Sequence, residues 1–216
     1  MPASSLVILG AGGHGVSAYN VALSAGIVVG QFVDPALRGR RLMGTEIVGD
    51  LSEIADTDNL HVFIAIGDND SRSRVQNELS IQYPGVSFPK LIHASAVISS
   101  FARIGDGTIV MPGSVVGPNT EIGRFCILNT RSSIDHDCVM ADYSSLAPGV
   151  TTGGKVGIGL RTAVSIGAVI KHDVTIGDDC VVGAHSYVNK NLPDSCVAYG
   201  TPARVIRSRG RADPYL

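Results

Sequence analysis

Aliphatic side chains recur at every sixth position through the second half of the chain. Counted in sixes from Ile98 to Val188, the positions hold aliphatic residues or methionine, and only Thr152 departs. The residues four positions after each of these, from Ala102 to Ser186, are all small. A period of six fits neither an α-helix nor a meander of long strands, but it fits a coil with short sides of six residues. The pattern predicts a parallel β-helix of about five coils of eighteen residues.

Glycine often follows the aliphatic residue directly, which predicts corners with unusual backbone angles. These glycines are Gly105, Gly117, Gly123, Gly159, Gly177 and Gly183. Three of the four cysteines, Cys126, Cys138 and Cys180, fall in the column of small residues. No Cys-x-x-Cys pair occurs, so we interpret these three as core residues and predict no metal site.

Residues 1–90 have a different pattern, in which apolar runs alternate with helix-like stretches. Strands are predicted at 6–9, 27–33 and 62–66, with a helix near 16–25. This alternation is typical of a parallel α/β unit. The sequence therefore predicts a Rossmann-like βαβ domain over residues 1–90, followed over residues 91–216 by the β-helix and a short C-terminal tail.

A glycine-rich loop, Gly-Ala-Gly-Gly-His-Gly at 10–15, follows the first predicted strand, and Asp34 closes the second. In this context backbone amides at a helix start hold a phosphate, although a tight strand-to-helix turn is an alternative. The domain has room for little more than one half of a dinucleotide fold, so a nucleotide attached to a smaller group, such as a sugar, fits better. The polar residues 67–72 are either ligand groups at the same sheet edge or a helix cap.

Two identical dipeptides, His136-Asp137 and His172-Asp173, lie thirty-six residues apart, which is two coils. Both therefore project from the same side of the coil. A carboxylate that fixes an imidazole tautomer makes the histidine a general base, whereas an exposed polar pair is the simpler interpretation. Periodicity does not choose between the two pairs.

Composition and net charge bear on which kinds of partner the protein can have. Hydrophobic residues make up 44% and charged residues 17%, with a net charge of -2, so a globular protein without a nucleic-acid partner is expected. The first apolar run is short and no basic segment precedes it. We therefore expect a cytoplasmic protein without membrane insertion.

Several segments together resemble the sialic acid O-acetyltransferase type of sugar acyltransferase, within the hexapeptide superfamily. The matching segments are 10–15, 65–69 with Arg72, 91–93, 129–130, 134–138 and 200–204. The resemblance implies a left-handed β-helix, a homotrimer, and acetyl-CoA bound between neighbouring helices. That family includes enzymes that acetylate nucleotide-linked 4-amino sugars.

The resemblance also implies roles for individual residues. His136 is implied to be the general base, and Asp137 to raise its basicity. The implied acetyl-CoA contacts are Ser145, Gly154, Ile166 and Ala184, and the implied nucleotide-sugar contacts are Gly13, His14, Gly15, Asp34 and Gly67. Some members carry a second histidine, which meets the acetyl carbonyl, where this chain has Ser145.

The function expected from these observations is direct acetyl transfer from acetyl-CoA to the amino group of a nucleotide-linked sugar of the 4-amino-4,6-dideoxy type. An alternative within the same class is O-acetylation of a sugar or sialic acid. Two further alternatives are a zinc hydratase of the γ-carbonic anhydrase type, which needs three converging histidines, and a nucleotide-binding regulator without catalysis.

Overall fold

The computed structural model describes residues 5–54 and 60–215. Its N-terminal part is a five-stranded sheet in the order β3-β4-β2-β1-β5, in which only the β3–β4 pair is antiparallel. The elements are β1 (Leu6–Leu9), α1 (Gly13–Ser24), β2 (Val29–Val33), β3 (Arg41–Leu42), β4 (Thr45–Val48), β5 (His61–Ile64) and α2 (Asn69–Gln82), with short 3-10 helices at Pro35–Leu37 and Leu51–Glu53.

The predicted strands at 6–9, 27–33 and 62–66 are confirmed within a few residues, and the helix begins earlier, at Gly13. The β3–β4 hairpin was not predicted, and α2 was anticipated only by the possible helix cap at 67–72. The hairpin turns at Met43 and Gly44, whose φ angles of 48° and 83° are those of a type I′ turn. The turn residues are Met-Gly and not the usual Asn-Gly or Asp-Gly, so the sequence did not predict this hairpin.

From Leu91 to Val188 the chain winds into a coil with three flat faces of parallel two-residue strands, so the predicted β-helix is confirmed. We number the faces in chain order. An antiparallel pair, Cys196–Gly200 and Ala203–Ser208, extends the first face at its end. The first face contains Leu91–Ile92, Ile109–Val110, Ile127–Leu128, Ser145–Leu146, Ala163–Val164, Val181–Val182, Cys196–Gly200 and Ala203–Ser208. The second face contains Val97–Ile98, Val115–Val116, Ser133–Ile134, Thr151–Thr152, Val169–Ile170 and Tyr187–Val188. The third face contains Arg103–Ile104, Glu121–Ile122, Val139–Met140, Gly157–Ile158 and Thr175–Ile176.

The second residue of each strand points inward and forms the aliphatic column, which is buried from Val110 to Val188. Cys126, Cys138 and Cys180 lie beside it as buried free thiols. Residues eighteen apart stack directly, as Leu91 pairs with Ile109. The interior is therefore one continuous core along the coil axis.

The expectation of unusual φ angles at the glycines after the column was wrong. Positive φ occurs instead three residues after the column, at Gly107, Asn119, Phe125, Asp137 and their equivalents. The glycine directly after the column is needed for another reason, because a Cβ at Gly105 would lie 2.6 Å from the backbone of Gly123 in the next coil. Close stacking of coils, and not backbone angle, excludes side chains there.

The first face of the coil docks onto the N-terminal sheet. Its first outward residues, Leu91, Ile109 and Ile127, are buried in one cluster with Ile8 and Phe63 of the sheet. The outward positions then become Ser145 and Ala163. Large apolar residues fill the interface from Leu91 to Ile127, and the small side chains of Ser145 and Ala163 leave space beyond them. A cavity opens where the large residues give way to the small ones.

Within the described residues, neither helix has both the length and the apolar composition that crossing a membrane requires. The expectation drawn from the start of the chain involves residues 1–4, which lie outside the described ranges.

Candidate active site

His136 lies at the corner between the second and third faces, which we call the histidine corner. Its Nδ1 is 2.7 Å from Oδ2 of Asp137. A carboxylate can only accept, so Nδ1 donates and Nε2 is left as the basic nitrogen. Asp137 adopts the left-handed conformation with φ 56°, and its Oδ1 accepts a hydrogen bond of 3.2 Å from Nδ2 of Asn119 in the preceding coil. The pair is thus held on both sides.

The electrostatics of this pair suit proton uptake. The hydrogen bond to Asp137 raises the pKa of His136, and Asp135 adds a smaller effect in the same direction. The hydrogen bonds from His136 and Asn119 lower the pKa of Asp137, which therefore stays ionised. An imidazole with a stabilised protonated form is a stronger base.

Gly154, in the next coil, lies over the ring of His136. A Cβ at Gly154 would overlap Nε2 and Cε1 of His136, so only glycine leaves room for the imidazole. Thr152, the one break in the aliphatic column, also serves this corner, because its buried hydroxyl accepts a hydrogen bond of 3.1 Å from the N–H of Asp135. The one polar residue of the column thus contacts the segment that carries His136.

The second His-Asp pair is organised differently. Nε2 of His172 is 4.0 Å from Oδ2 of Asp173, and the two side chains are 64% and 65% exposed, against 49% and 44% for His136 and Asp137. A 4.0 Å separation is too long for a hydrogen bond. Geometry therefore distinguishes two pairs that the repeat made equivalent. His185 stacks over Gly167 at a different corner, so it does not join them.

A cavity of about 410 Å³ opens between the first face, the glycine loop and the segment 209–215. Its walls include His14, Gly67, Asn129, Ser145, Ala163, Ile166 and Tyr215. Four of the predicted binding residues, His14, Gly67, Ser145 and Ile166, therefore share one cavity. Ala184 is exposed and lies one coil beyond Ile166 at the same corner.

His14 lines the cavity as a neutral side chain. Burial, followed by the positive charge of Arg72, lowers its pKa to about 4. Its Nε2 is buried and has no hydrogen-bond partner among the described residues. A buried polar nitrogen normally has a partner, so this atom is a candidate to meet a ligand.

The glycine loop presents backbone amides at the start of α1. Gly12 caps α1 without a side-chain hydrogen bond, and Gly13 is exposed with open space where a Cβ would stand. Gly15 faces inward, because a Cβ there would collide with the carbonyl of Gly10. Asp34 closes the loop, since its carboxylate accepts from the N–H of Ala11 and of Ala36, both at 3.0 Å. Free amides at a helix start are an anion site.

Arg72 fixes the loop that carries Gly67. Its buried guanidinium donates to the carbonyls of Ile66 and Gly67 within the N-terminal unit, and to those of Phe125 and Tyr143 on the coil, at 2.8–2.9 Å. Asn69 completes the contact, with Nδ2 3.1 Å from Oγ of Ser145. The polar segment 67–72 is thus both a helix cap, through Asp68, and part of the cavity wall.

The predicted site residues fall into two groups in one chain. Ser145 and Ile166 lie at the cavity with His14 and Gly67, whereas His136, Asp137 and Gly154 lie at the histidine corner. The second face separates the two groups. The structure therefore brings together four of the predicted binding residues but leaves His136, Asp137 and Gly154 outside the cavity of their own chain.

Two contributors were missed in the sequence analysis. Asn119 is revealed only by stacking, as it lies eighteen residues before Asp137. Tyr215 reaches the cavity from the C-terminal segment, which follows no repeat, and its hydroxyl accepts a hydrogen bond of 2.8 Å from the N–H of Asn69. A period of eighteen applied to the His-Asp pair would have found Asn119, but the sequence carries no signal for Tyr215.

Comparison with known proteins agrees with this architecture. The family model of the PglD N-terminal domain matches residues 5–79. GDP-perosamine N-acetyltransferase of Escherichia coli is 32% identical over 182 residues, which cover 82% of this chain and 81% of the relative.

Solved structures extend the likeness over nearly the whole chain. A histidine-to-asparagine mutant of perosamine N-acetyltransferase from Caulobacter crescentus, in complex with CoA and GDP-perosamine, has a TM-score of 0.88 and 34% identity, covering 95% of this chain and 98% of that one. The acetyltransferase domain of PglB from Neisseria gonorrhoeae, in complex with acetyl coenzyme A, has a TM-score of 0.87 and 28% identity, covering 94% and 98%. Because the chain shares the fold of these acetyltransferases over nearly its whole length, its coil is a left-handed β-helix.

Proposed function

The chain belongs to the nucleotide-sugar acetyltransferases of the hexapeptide superfamily, and on that basis we propose that His136 is the general base of its acetyl transfer. The protein is an acetyl-CoA-dependent N-acetyltransferase that acts on a nucleotide-linked amino sugar. For the sugar we propose the 4-amino-4,6-dideoxy type. The observation that carries the role of His136 is its hydrogen bond to Asp137, which leaves Nε2 basic beneath Gly154.

The reaction is a direct transfer. The sugar nitrogen attacks the thioester carbonyl carbon while its proton passes to Nε2 of His136. The carbon–sulfur bond then breaks, and the departing thiolate of CoA accepts that proton from the imidazolium. Asp137 stabilises the imidazolium between the two steps. We assign the oxyanion contact to the backbone amide of Gly154, a type of contribution worth roughly 3 kcal/mol per donor.

The two halves of the chain divide the binding. Residues 1–90 hold the nucleotide sugar, with Gly13, His14 and Gly15 at the phosphates, Asp34 at the base or ribose, and Gly67 near the sugar. Residues 91–216 hold acetyl-CoA through Ser145, Gly154, Ile166 and Ala184. The open amides at the start of α1 and the unpartnered Nε2 of His14 support the first assignment.

The working form is a homotrimer in which the histidine corner of one copy faces the cavity of the next. Two observations support this assembly. The predicted residues are split between two corners of one chain, and the second face between those corners exposes apolar side chains. Those side chains are Val97, Val115, Val169 and Tyr187. Exposed apolar patches of this kind mark protein interfaces.

We place the protein in the cytoplasm. Its four cysteines are free thiols in the structure, and persistent thiols are typical of a reducing compartment.

The test is an acetylation assay on purified protein with acetyl-CoA and a panel of acceptors. The panel contains GDP- and UDP-linked 4-amino-4,6-dideoxyhexoses, the matching 4-hydroxy sugars, and free sialic acid. Release of CoA is expected with the amino sugars only. Turnover of the hydroxy sugars or of sialic acid instead would establish O-acetylation.

The matched variants are His136→Asn and His172→Asn. His136→Asn should lower kcat by about 10²- to 10⁴-fold, the usual contribution of a general base, and leave acetyl-CoA binding intact. His172→Asn should retain wild-type turnover. Near wild-type rates for His136→Asn would refute the assignment.

A further inference from the structure

The segment 209–215 closes one wall of the cavity with the ring of Tyr215. Its side chain faces the cavity together with His14, Gly67 and Ser145. Burial raises the pKa of the Tyr215 hydroxyl, which therefore keeps its proton. The hydroxyl accepts from the N–H of Asn69 and lies beside the hydroxyl of Ser145, and as an O–H group it can donate its proton to a ligand oxygen in the cavity.

The segment is anchored firmly to the N-terminal unit. Arg211 forms an ion pair with Asp70, a carboxylate that is 8% exposed, and also contacts the hydroxyl of Ser73. The guanidinium of Arg209 lies 5.5 Å from the centre of the Tyr215 ring and donates to the carbonyl of Asp179 on the coil. Asp70 also pairs with Arg74, and removing a partner from a buried carboxylate costs more than removing one from an exposed pair. The position of Tyr215 is therefore fixed from two sides.

The surroundings indicate which ligand Tyr215 meets. Its hydroxyl is bonded to Asn69, which belongs to the same 67–69 segment as Gly67, and His14 lies across the same cavity. His14 and Gly67 are proposed acceptor contacts, so Tyr215 lies on the acceptor side, at its border with the proposed acetyl-CoA contact Ser145. An aromatic ring with a hydroxyl donor suits a hexose, which offers an apolar ring face and several oxygen acceptors.

We propose that Tyr215 is a specificity-determining residue for the sugar of the acceptor, to which its hydroxyl donates a hydrogen bond. Arg211 acts through it as a positioning residue. The proposal rests on the proposed function, because it takes the ligand of this cavity to be a nucleotide-linked amino sugar.

The experiment compares Tyr215→Phe, Arg211→Ala and the double variant with the wild type in steady-state kinetics. Tyr83→Phe is the control, since Tyr83 follows the other end of α2, away from the cavity. Tyr215→Phe should raise KM for the amino-sugar nucleotide about three- to tenfold, the effect of one hydrogen bond. KM for acetyl-CoA should stay unchanged, and the melting temperature should fall slightly, because the buried N–H of Asn69 loses its acceptor.

Two further measurements separate sugar contact from a structural role. Calorimetric titration with GDP or UDP alone should give the same Kd for Tyr215→Phe and the wild type, because the sugar is missing. Arg211→Ala should raise the acceptor KM in the same direction, and adding Tyr215→Phe to it should change little, since both act through one contact.

The proposal is overturned if Tyr215→Phe leaves the acceptor KM at the wild-type value, alters KM for acetyl-CoA alone, or weakens GDP or UDP binding equally. A fall in melting temperature without a change in KM would also overturn it. An inactive wild type would refute the proposed function instead. The calorimetric comparison with intact amino-sugar nucleotides then still tests Tyr215.

Discussion

At the scale of single residues, the decisive feature is what stacks beneath each aspartate of the two His-Asp pairs. Asp137 and Asp173 both adopt the left-handed conformation, with φ 56° and 58°. Asn119 lies eighteen residues before Asp137 and donates to its Oδ1, which leaves Oδ2 for His136. The residue beneath Asp173 is Lys155, and the described residues show no such bond between them. The side-chain amide of Asn119 is therefore the difference beneath the two aspartates, and only His136 is hydrogen-bonded to its aspartate.

Replacement of Asp137 tests this pairing through pH. The hydrogen bond to Asp137 raises the pKa of His136, so Asp137→Asn should lower that pKa. The base must be neutral to accept a proton, so the acid limb of the kcat/KM profile should move to lower pH. The plateau should fall by about 10²-fold, because the weaker base is also misoriented.

Asp173→Asn is the matched control and should leave the profile in place. The substrate amine titrates identically with every enzyme form, so a difference between the profiles belongs to the protein. An acid limb that does not move in Asp137→Asn would show that another group takes the proton.

At the scale of elements, the six-residue turn explains where glycine is needed. The left-handed residue comes three positions after the column and is often not glycine, as Asn119, Phe125 and Asp137 show. The glycines next to the column are needed because neighbouring coils approach too closely for a Cβ. Gly154 adds a third reason, which is space for a side chain of functional importance.

Gly154→Ala is the corresponding prediction. The new Cβ would overlap the imidazole of His136, which must turn away, so kcat should fall at least about tenfold for a misplaced base. The melting temperature should change little, because His136 is half-exposed and free to move.

Gly157→Ala in the same coil is the control, since its Cβ would meet Thr175 at an ordinary 3.4 Å. Both substitutions add one methyl group to a glycine of this coil. Full activity in Gly154→Ala would show that the ring of His136 does not need the position seen in the structure.

In the whole molecule, the two groups of predicted site residues lie at different corners of one coil. The cavity is bounded by the first face and the N-terminal unit, whereas His136 lies beyond the second face. An enzyme with one chain per site would have to move His136 across that face. A neighbouring copy that supplies its own histidine corner needs no such movement.

Subunit mixing tests this arrangement. His136→Asn removes the base, and Gly13→Glu places a negative charge where the phosphates are expected, in open space that tolerates a side chain. Each variant alone should be nearly inactive. Co-expressed in equal amounts, they should recover about a quarter of wild-type activity, because each shared site draws its two halves independently. Recovery near zero would place each site within a single chain.

Spacing along the chain predicted the coil and its aliphatic column, and the family resemblance supplied most of the candidate site residues. A strict period of six admits one regular arrangement, so burial of the aliphatic column and of Cys126, Cys138 and Cys180 could be read directly from spacing. The glycine loop and the acidic end of the second strand were also legible, because turn chemistry is local. The hairpin at Met43-Gly44 lacked such a local signal and was missed, whereas helix α2 was signalled only by its possible cap at 67–72.

Contacts outside the repeat became visible only in the folded chain. The resemblance had named His136, and the structure adds that His136, unlike His172, is hydrogen-bonded to its aspartate, which Asn119 of the preceding coil also holds. The cavity depends on where large outward residues on the first face give way to Ser145 and Ala163. Tyr215 reached Asn69 across 146 positions of sequence. Periodicity fixes contacts between residues eighteen apart, but a contact outside the repeat is set by the packing of the two units, which no spacing encodes.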